Sequence, residues 1–267
     1  MNKLALFAFI KDEFDIIRSF IDHHIKIFDE IHIVDDGSTD GTVDIIKEYS
    51  KINLYQINNS FNFKGGICSD IMRSSDADIL VPLDADEKMI YDDNSTISKD
   101  SQVIKQYLQN LSIDGYKYII NKIYEYHPDN DNWWYPINSP QKIIFPKKTF
   151  VYTDQGFHRG RVSLDDPESF KQKYYWRLCS SNGCIKPDKL NKIHISYLHY
   201  HFRSKEIWLK NIEKKLKQRI GEQWNNIQIL NNYEGPSSHL KHSLIEYLSS
   251  SQWHELKKNK YIDYNNI

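Results

Sequence analysis

Two short apolar segments of this chain each end in a dense group of acidic residues, and this repeated pattern constrains the fold more than any other feature. Residues 79–83 are apolar, and three carboxylates follow them, Asp84, Asp86 and Glu87. Residues 31–34 are mostly β-branched, and Asp35 and Asp36 follow them. Crowded carboxylates repel one another unless a cation or polar ligand lies among them. The pattern suggests a metal site, although solvated loop acids are the simpler alternative.

The segments between these acidic groups alternate between strand-like and helix-like patterns. Residues 1–10 are mostly apolar and predict a first core strand. Apolar residues then recur at helical spacing and predict an amphipathic helix: Phe14, Ile17, Ile21, Ile25 and Phe28. We further predict helices over 43–49, capped by Thr42, and over 64–75, and a strand over 52–57. Such alternation favours a parallel α/β sheet, whose ligands bind beyond the carboxyl ends of the strands.

Beyond residue 100 the pattern is less regular. We predict a helix over 103–111, strands over 116–123, 142–145 and 193–202, and a C-terminal helical extension. The predicted helices of this extension cover 204–220, which is rich in lysine, and 239–256. An aromatic group at Trp133, Trp134 and Tyr135 lies in a predicted loop, where it suits either an acceptor-sugar surface or ordinary core packing.

Length and composition exclude several classes of protein. The chain has 267 residues, enough for one large α/β domain with an appendage or for two small domains. Its 35 basic and 36 acidic residues nearly cancel, which argues against a nucleic-acid partner. Three cysteines without metal-ligand spacing suggest reduced thiols. The N-terminal apolar run is too short for a signal peptide and no segment is long enough to span a membrane, so we expect a cytoplasmic protein.

Three motifs in order give the chain a family resemblance. They are Lys-Asp-Glu at 11–13, Asp-Asp-Gly-Ser-Thr-Asp-Gly-Thr at 35–42, and the D-x-D sequence at 84–86. With them the chain resembles a family 2 type glycosyltransferase of the GT-A fold, most clearly over its first 90 or so residues. The resemblance implies a Rossmann-like, mostly parallel sheet flanked by helices. We expect a catalytic domain over 1–202 and a helical extension over 203–267.

The resemblance also implies an activity. A family member of this kind moves a sugar from a nucleotide-diphosphate donor, here with UDP favoured, to a hydroxyl of a cell-surface glycan or glycolipid. The reaction is expected to invert the configuration at the anomeric carbon of the sugar. It is also expected to need Mn²⁺ or Mg²⁺, because a divalent cation neutralises the leaving diphosphate. Two alternatives stay open: a noncatalytic carbohydrate- or nucleotide-binding protein, and a sugar-nucleotide nucleotidylyltransferase on a related fold.

Individual roles follow from the matching positions. The metal ligands expected from the resemblance are Asp86 and His158, with His199 and His201 as rivals to His158. Asp84 is expected at the ribose and metal edge, and Glu87 is expected only to orient its neighbours. The positions expected to contact the nucleotide are Phe9, Lys11, Glu13, Asp36, Lys64, Asp84, Lys142 and Arg159.

The general base that accepts the proton of the acceptor hydroxyl is harder to place. The family has a carboxylate some way past the D-x-D motif, and Asp154, Asp165, Asp166 and Glu168 lie near that interval. The expected Glu-Asp pair is absent in clean form. Asp154 is preferred because it shares a loop with His158, and Asp166 is the second candidate.

Between Lys186 and Ile220 the chain has ten basic residues and three acidic ones, and part of this excess lies on the predicted helix over 204–220. A solvated helix face explains such an excess, and so does contact with an anionic partner such as a phosphorylated glycolipid or the inner face of a membrane. In the second interpretation the protein binds peripherally to the inner face of that membrane.

Overall fold

The computed structural model describes most of the first half of the chain and parts of the second. The described residues are 1–58, 60, 63–114, 118–126, 133–137, 142–154, 156–157, 160–162, 191–200, 209–210, 213, 216, 220–232 and 262–263. The chain divides into two compact units. The first comprises Met1–Tyr124 and Ile137–His199, and the second comprises Glu125–Pro136 and Tyr200–Ile267. The domain boundary suggested by the sequence, at residue 202, stays a prediction.

The described strands are short, and most of them lie in the first unit. They are β1 Leu4–Ile10, β2 Glu30–Asp35, β3 Ile52–Gln56, β4 Ile79–Leu83, β5 Glu87–Asp92, β6 Ile97–Ser98, β7 Tyr118–Ile119, β8 Ile123–Tyr126, β9 Trp133–Ile137, β10 Ile143–Pro146, β11 Phe150–Thr153, β12 Gly160–Val162, β13 Asn191–Lys192, β14 Ile195–His199 and β15 Ile262–Asp263. The described helices are α1 Ile17–His24, α2 Thr42–Lys47, α3 Lys64–Ser74, α4 Ser101–Gln109 and a short C-terminal helix, Ile227–Asn232. Short 3-10 turns occupy Lys147–Thr149 and Gly221–Gln223.

The first unit is built on a seven-stranded sheet in the order β13-β7-β10-β4-β1-β2-β3. β1 is parallel to β2 and β4, and β2 is parallel to β3. Helices α1, α2 and α3 lie in the connections between these strands, as the alternating sequence pattern predicts. β10 joins the sheet antiparallel to β4 and β7. The predicted fold class, a mostly parallel sheet flanked by helices, is therefore confirmed.

Both faces of the central strand β1 are buried. All seven residues of β1 are buried, and successive side chains along a strand point to opposite faces. Leu4 and Leu6 pack in one cluster with the α1 residue Phe20. Ala5 and Phe7 pack in a second cluster with residues of α3, β10 and β11. Coverage on both sides buries β1, whereas the residues that follow it are partly exposed.

Antiparallel pairs complete the described architecture. In the first unit β5 pairs with β14 and β6, and β5 was not predicted from the sequence. In the second unit β9 pairs with β15. Within the predicted helix over 204–220, residues 209, 210, 213, 216 and 220 have helical backbone; the others lie outside the described residues, as does the predicted helix over 239–256. None of the described helices has the length and apolar character needed to cross a membrane.

Three local predictions were wrong. Trp133, Trp134 and Tyr135 were expected in a loop, but they lie in strand β9. Phe14 was assigned to the buried face of the first helix, but it precedes α1 and is 54% exposed. Its ring packs over Gly41, which has a left-handed φ of 90°. Thr42 does not cap α2, because Gly41 occupies the cap position. Instead the Thr42 hydroxyl accepts the Glu13 N–H at 2.9 Å and so ties the first loop to α2.

Two neutral histidines join the last turn of α1 to β5. His24 is fully buried, and its Nε2 accepts the Met89 N–H at 3.4 Å while its Nδ1 lies 2.8 Å from the Phe20 carbonyl. His23 Nε2 lies 2.8 Å from the Met89 carbonyl. Burial lowers the pKa of His24 well below its ordinary value and lowers the pKa of His23 to about 4.

We therefore expect the contribution of these two histidines to the free energy of unfolding to decrease as the pH falls from about 6.5 towards 4. The unfolded chain protonates its histidines near pH 6.5, whereas the folded chain resists protonation, so stability present above that pH is lost below it. For His23 the loss is at most about 3 kcal/mol. Urea unfolding across this pH range should show this contribution as a difference in slope between the wild type and the variant that combines His23→Gln with His24→Gln. His194→Gln, at an exposed position, is the control, and an equal slope in all three proteins would contradict the argument.

Candidate functional site

The acidic and basic candidates lie at one edge of the sheet, because the parallel strands that carry them end at similar levels. Ala8 of β1 is level with Leu83, the last residue of β4. Ile10 is level with Asp35, the last residue of β2. The residues that follow β1, β2 and β4 therefore emerge together at the carboxyl edge, where parallel α/β sheets bind ligands.

Asp84, directly after β4, lies between two lysine side chains. Lys64, the first residue of α3, donates from Nζ to Asp84 Oδ1 at 2.6 Å. Lys142, directly before β10, donates to Asp84 Oδ2 and, at 2.9 Å, to the Gly156 carbonyl. Its Nζ also lies 3.3 Å from Glu87 Oε1. The Lys142 side chain is only 2% exposed, so these acceptors replace the water that its ammonium group has lost.

Glu87 closes the turn that carries the D-x-D residues. Its Oε2 accepts the Asp84 N–H at 3.0 Å, and its own N–H donates to the Asp84 carbonyl at 3.1 Å. The Glu87 side chain is almost completely buried. Asp86 lies inside this doubly bonded turn, so Glu87 orients the turn, in the role that the sequence suggests for it.

Burial and charge act against each other throughout this cluster. Burial raises the pKa of Asp84, but the ammonium groups of Lys142 and Lys64 outweigh burial and hold that pKa well below its usual range. Burial raises the pKa of Glu87 to about 7 despite Lys142. Burial lowers the pKa of Lys142, yet Asp84 and Glu87 together raise it above its ordinary value. Asp84 and Lys142 are therefore charged at neutral pH.

Two aromatic rings line the lysine pair. Lys64 Nζ lies 4.2 Å from the centroid of the Phe157 ring, and Lys142 Nζ lies 5.4 Å from it. The ring of Phe9, a predicted nucleotide contact at the end of β1, has its centroid 5.8 Å from Lys64 Nζ. Cations over aromatic faces gain electrostatic energy, more so when desolvated. The rings thus help to keep two positive charges close together.

Asp86 and His199 form a second pair beside this cluster. β14 pairs with β5 so that His199 is opposite Glu87, and His199 Nε2 lies 3.4 Å from Asp86 Oδ2. Carboxylate and imidazole ligands bind ions such as Zn²⁺ at about 2.0–2.2 Å, so two atoms at this separation can share one ion. The part of the chain that the structure describes holds no group of three such side chains. An ion bound here therefore needs further ligands from elsewhere.

Residues 36–41, between β2 and α2, form the first acidic loop. Hydrogen bonds at the ends of β1 and β2 hold this loop in place. Lys11 Nζ donates to the Asp36 carbonyl at 2.9 Å. The Asp36 carboxylate is buried, and its Oδ1 accepts both the N–H and the hydroxyl of Ser60, at 2.7 and 2.8 Å. Glu13 lies in the segment that follows β1, and its N–H donates to the Thr42 hydroxyl at the start of α2. These contacts fix the direction of the Asp36 carboxylate.

The later candidates are only partly described. Asp154 follows β11, and its carbonyl accepts the Phe157 N–H at 3.3 Å. His158, Arg159, Asp166 and His201 lie outside the described residues. Of the three late histidines, His199 is thus the one whose position is known.

Sequence reasoning missed Ser60 and Phe157. Ser60 lies in a polar segment with no motif, so no signal in the sequence marks it. Phe157 precedes the predicted ligand His158, but its position beside the lysines depends on a left-handed φ of 58°. Residues other than glycine rarely adopt this conformation. Neither contact follows from a periodic pattern.

Comparison with known proteins gives one family match. The family model described as glycosyl transferase family 2 matches residues 10–166, more than half of the chain. This range includes the first acidic loop, the D-x-D turn, and Lys64 and Lys142. No curated protein matches the chain.

Several solved structures are similar to this chain at low identity. Glucosyl-3-phosphoglycerate synthase from Mycobacterium tuberculosis in complex with uridine-diphosphate is 22% identical, and the match covers 32% of this chain and 34% of that chain, with a TM-score of 0.27. The chain thus spans about a third of that synthase. S. aureus TarS 1-349 is 12% identical over 96% of this chain and 76% of that chain, with a TM-score of 0.47.

Removing the Lys142 charge should destabilise the protein strongly, because it leaves the buried Glu87 carboxylate without its cation and leaves Asp84 with Lys64 alone. We expect Lys142→Met to lower the free energy of unfolding by about 3–5 kcal/mol, the usual effect of breaking a buried ion pair. Lys148→Met removes an exposed lysine paired with Asp114 and should change it by about 0.5 kcal/mol or less. Denaturant unfolding at neutral pH gives both values, and equal effects of the two substitutions would contradict the assignment.

Proposed function

The chain belongs to glycosyl transferase family 2, and we propose that this glycosyltransferase moves a sugar from a nucleotide-diphosphate donor, with UDP favoured, to a hydroxyl of a cell-surface glycan or glycolipid. The observation that carries the proposal is the pair of buried lysines at the carboxyl edge of the sheet. Lys64 and Lys142 converge on Asp84 within hydrogen-bond distance. Asp84 balances one of these two positive charges, so a divalent cation held at Asp86 would add the further positive charge that a diphosphate needs as its bond to the sugar breaks.

The lysine pair suits a leaving diphosphate for two reasons. The ammonium groups are fixed before the donor arrives by Asp84, Gly156 and the Phe157 ring, so little reorganisation accompanies the reaction. Lys64 also lies at the first position of α3, where backbone N–H groups favour an anion. Both features support a role for the pair in holding the phosphates.

Asp86 and His199 are the residues that would hold Mn²⁺ or Mg²⁺, with His158 as a further candidate ligand. When bound, such a cation supplies positive charge to the diphosphate oxygens. The fit rests on the oxygen and nitrogen atoms of Asp86 and His199 lying 3.4 Å apart and both being partly exposed. Glu87 supports the fit, because its two hydrogen bonds with Asp84 hold the turn that presents Asp86.

The nucleotide base is assigned to the first acidic loop. A carboxylate can accept the N3–H of uracil, which favours a uridine nucleotide. Asp36 supports this role, since Ser60 and the backbone hold its carboxylate in one orientation. Lys11 and Glu13 complete the proposed nucleotide contacts, and Arg159 is a proposed phosphate contact.

Transfer with inversion requires one proton to leave the acceptor hydroxyl as its oxygen attacks the sugar and the nucleotide diphosphate departs. We assign Asp154 as the general base that takes this proton, with Asp166 as the alternative. Two facts support this role for Asp154. It directly follows β11, and it lies two residues before Gly156, whose carbonyl accepts a hydrogen bond from Lys142. The acceptor class, and a contact of residues 204–220 with an anionic membrane, are proposed from the basic character of the C-terminal extension.

The metal assignment predicts how nucleotide binding responds to mutation. Asp86→Asn and His199→Ala should each lower the Mn²⁺-dependent affinity for UDP by at least about 10-fold, since even outer partners of a metal site contribute that much. His194→Ala, at an exposed position just before the same strand, should leave it unchanged. Titration calorimetry with UDP, with and without Mn²⁺, measures these affinities. Wild-type affinity in both site variants would remove the metal site from this position.

The assignment of the general base predicts a different pattern. Asp154→Asn should lower kcat by about 10²–10⁴-fold, the usual contribution of general base catalysis, while leaving UDP affinity unchanged. Asp114→Asn changes an exposed carboxylate and should leave both quantities unchanged. Product formation from a panel of UDP sugars gives kcat. An unchanged kcat in Asp154→Asn would move the role to Asp166.

A further inference from the structure

Helix α3 has two consecutive glycines in its first turn, and they have very different surroundings. A Cβ on Gly65 would lie 2.7 Å from the Thr153 carbonyl oxygen and 3.0 Å from the Asp154 carbonyl carbon. A Cβ on Gly66 would have nothing within 4 Å. Glycine lowers the stability of a helix relative to alanine, so its presence at position 65 has a reason in packing. The end of β11 therefore lies too close to the α3 backbone for any residue with a Cβ at position 65.

Ser69 strengthens this close approach. It lies one helical turn after Gly65, on the same face of α3. Its hydroxyl accepts the Thr153 N–H at 3.0 Å and donates to the Gly65 carbonyl at 2.5 Å. Ser69 and Thr153 are both fully buried. We call Gly65 and Ser69 together the α3 notch.

The α3 notch holds a segment that continues into the lysine cluster. We call this segment the β11 exit; its described residues are Thr153, Asp154, Gly156 and Phe157. The Gly156 carbonyl accepts a hydrogen bond from Lys142, and the Phe157 ring packs against Lys64. The Phe157 N–H donates to the Asp154 carbonyl. The β11 exit is thus fixed to α3 at its start and to the lysines at its end.

We infer that the α3 notch sets the position of Asp154 relative to the Lys64 and Lys142 pair, so that Gly65 and Ser69 are positioning residues for sugar transfer. The inference rests on the proposed function, in which Asp154 takes the acceptor proton. The atoms nearest a Cβ at position 65 include backbone atoms, which cannot turn away as a flexible side chain can. Gly65→Ala must therefore displace the β11 exit, and a small misplacement of a reacting group reduces turnover strongly.

The experiment compares Gly65→Ala with its neighbour Gly66→Ala in the full-length protein. We expect Gly65→Ala to lower kcat by at least about 10-fold, while the affinity for UDP in the presence of Mn²⁺ changes much less. Ser69→Ala should act in the same direction, and Gly66→Ala should keep the wild-type kcat. Hydrogen exchange of the Thr153 amide should become faster in Gly65→Ala and Ser69→Ala but not in Gly66→Ala.

The outcomes separate this inference from the proposed function. Equal kcat and equal exchange in Gly65→Ala and Gly66→Ala would overturn the inference while leaving the transferase activity intact. A parallel loss of kcat, UDP affinity and thermal stability in Gly65→Ala and Ser69→Ala would also overturn it, because both residues would then be structural only. If the wild-type protein transfers no sugar, the proposed function fails, and the exchange rates alone decide whether the notch holds the β11 exit.

Discussion

The contact on which the site depends is the buried Lys142 ammonium group between Asp84 and Glu87. An isolated buried charge is strongly unfavourable, and an ion pair in the interior is stable only when its remaining hydrogen-bonding capacity is used. Here Lys142 reaches two carboxylates and the Gly156 carbonyl. The two carboxylates belong to the D-x-D turn and the carbonyl belongs to the β11 exit, so one ammonium group connects these two parts of the chain.

Strand register explains how this contact arises. β10 runs antiparallel to β4, with Phe145 opposite Leu80 and Pro146 opposite Ile79. Continued by the same register, this pairing brings the residue before β10 beside the residue that ends β4. Lys142 and Asp84 are therefore neighbours because β10 reverses the direction of the otherwise parallel strands beside it. A parallel strand in that place would put Lys142 at the opposite edge of the sheet.

The same reasoning shows what the sequence could and could not predict. The strands and helices of the parallel region follow from periodicity, and the D-x-D turn was located because apolar strands followed by acids are a local signal. The pairing of β5 with β14 joins residues more than a hundred positions apart, and it places His199 opposite Glu87 and therefore beside Asp86. Phe14 satisfied the helical pattern, yet it lies before the helix begins and packs on Gly41. Periodicity gives the faces of an element, but it gives neither its first residue nor its partner strand.

Local preferences are violated most at the carboxyl edge itself. Two of the described non-glycine residues with a left-handed φ, Asp12 at 56° and Phe157 at 58°, flank the candidate site. Lys64 adds a cation at a helix N-terminus, where the helix dipole disfavours positive charge. Each departure is offset by specific contacts: Asp12 N–H donates to Ser38, Phe157 N–H donates to the Asp154 carbonyl, and Asp84 accepts from Lys64. Strain of this kind persists only where the surroundings fix it, and it concentrates at functional sites. The edge therefore keeps these arrangements at the expense of local conformational preference.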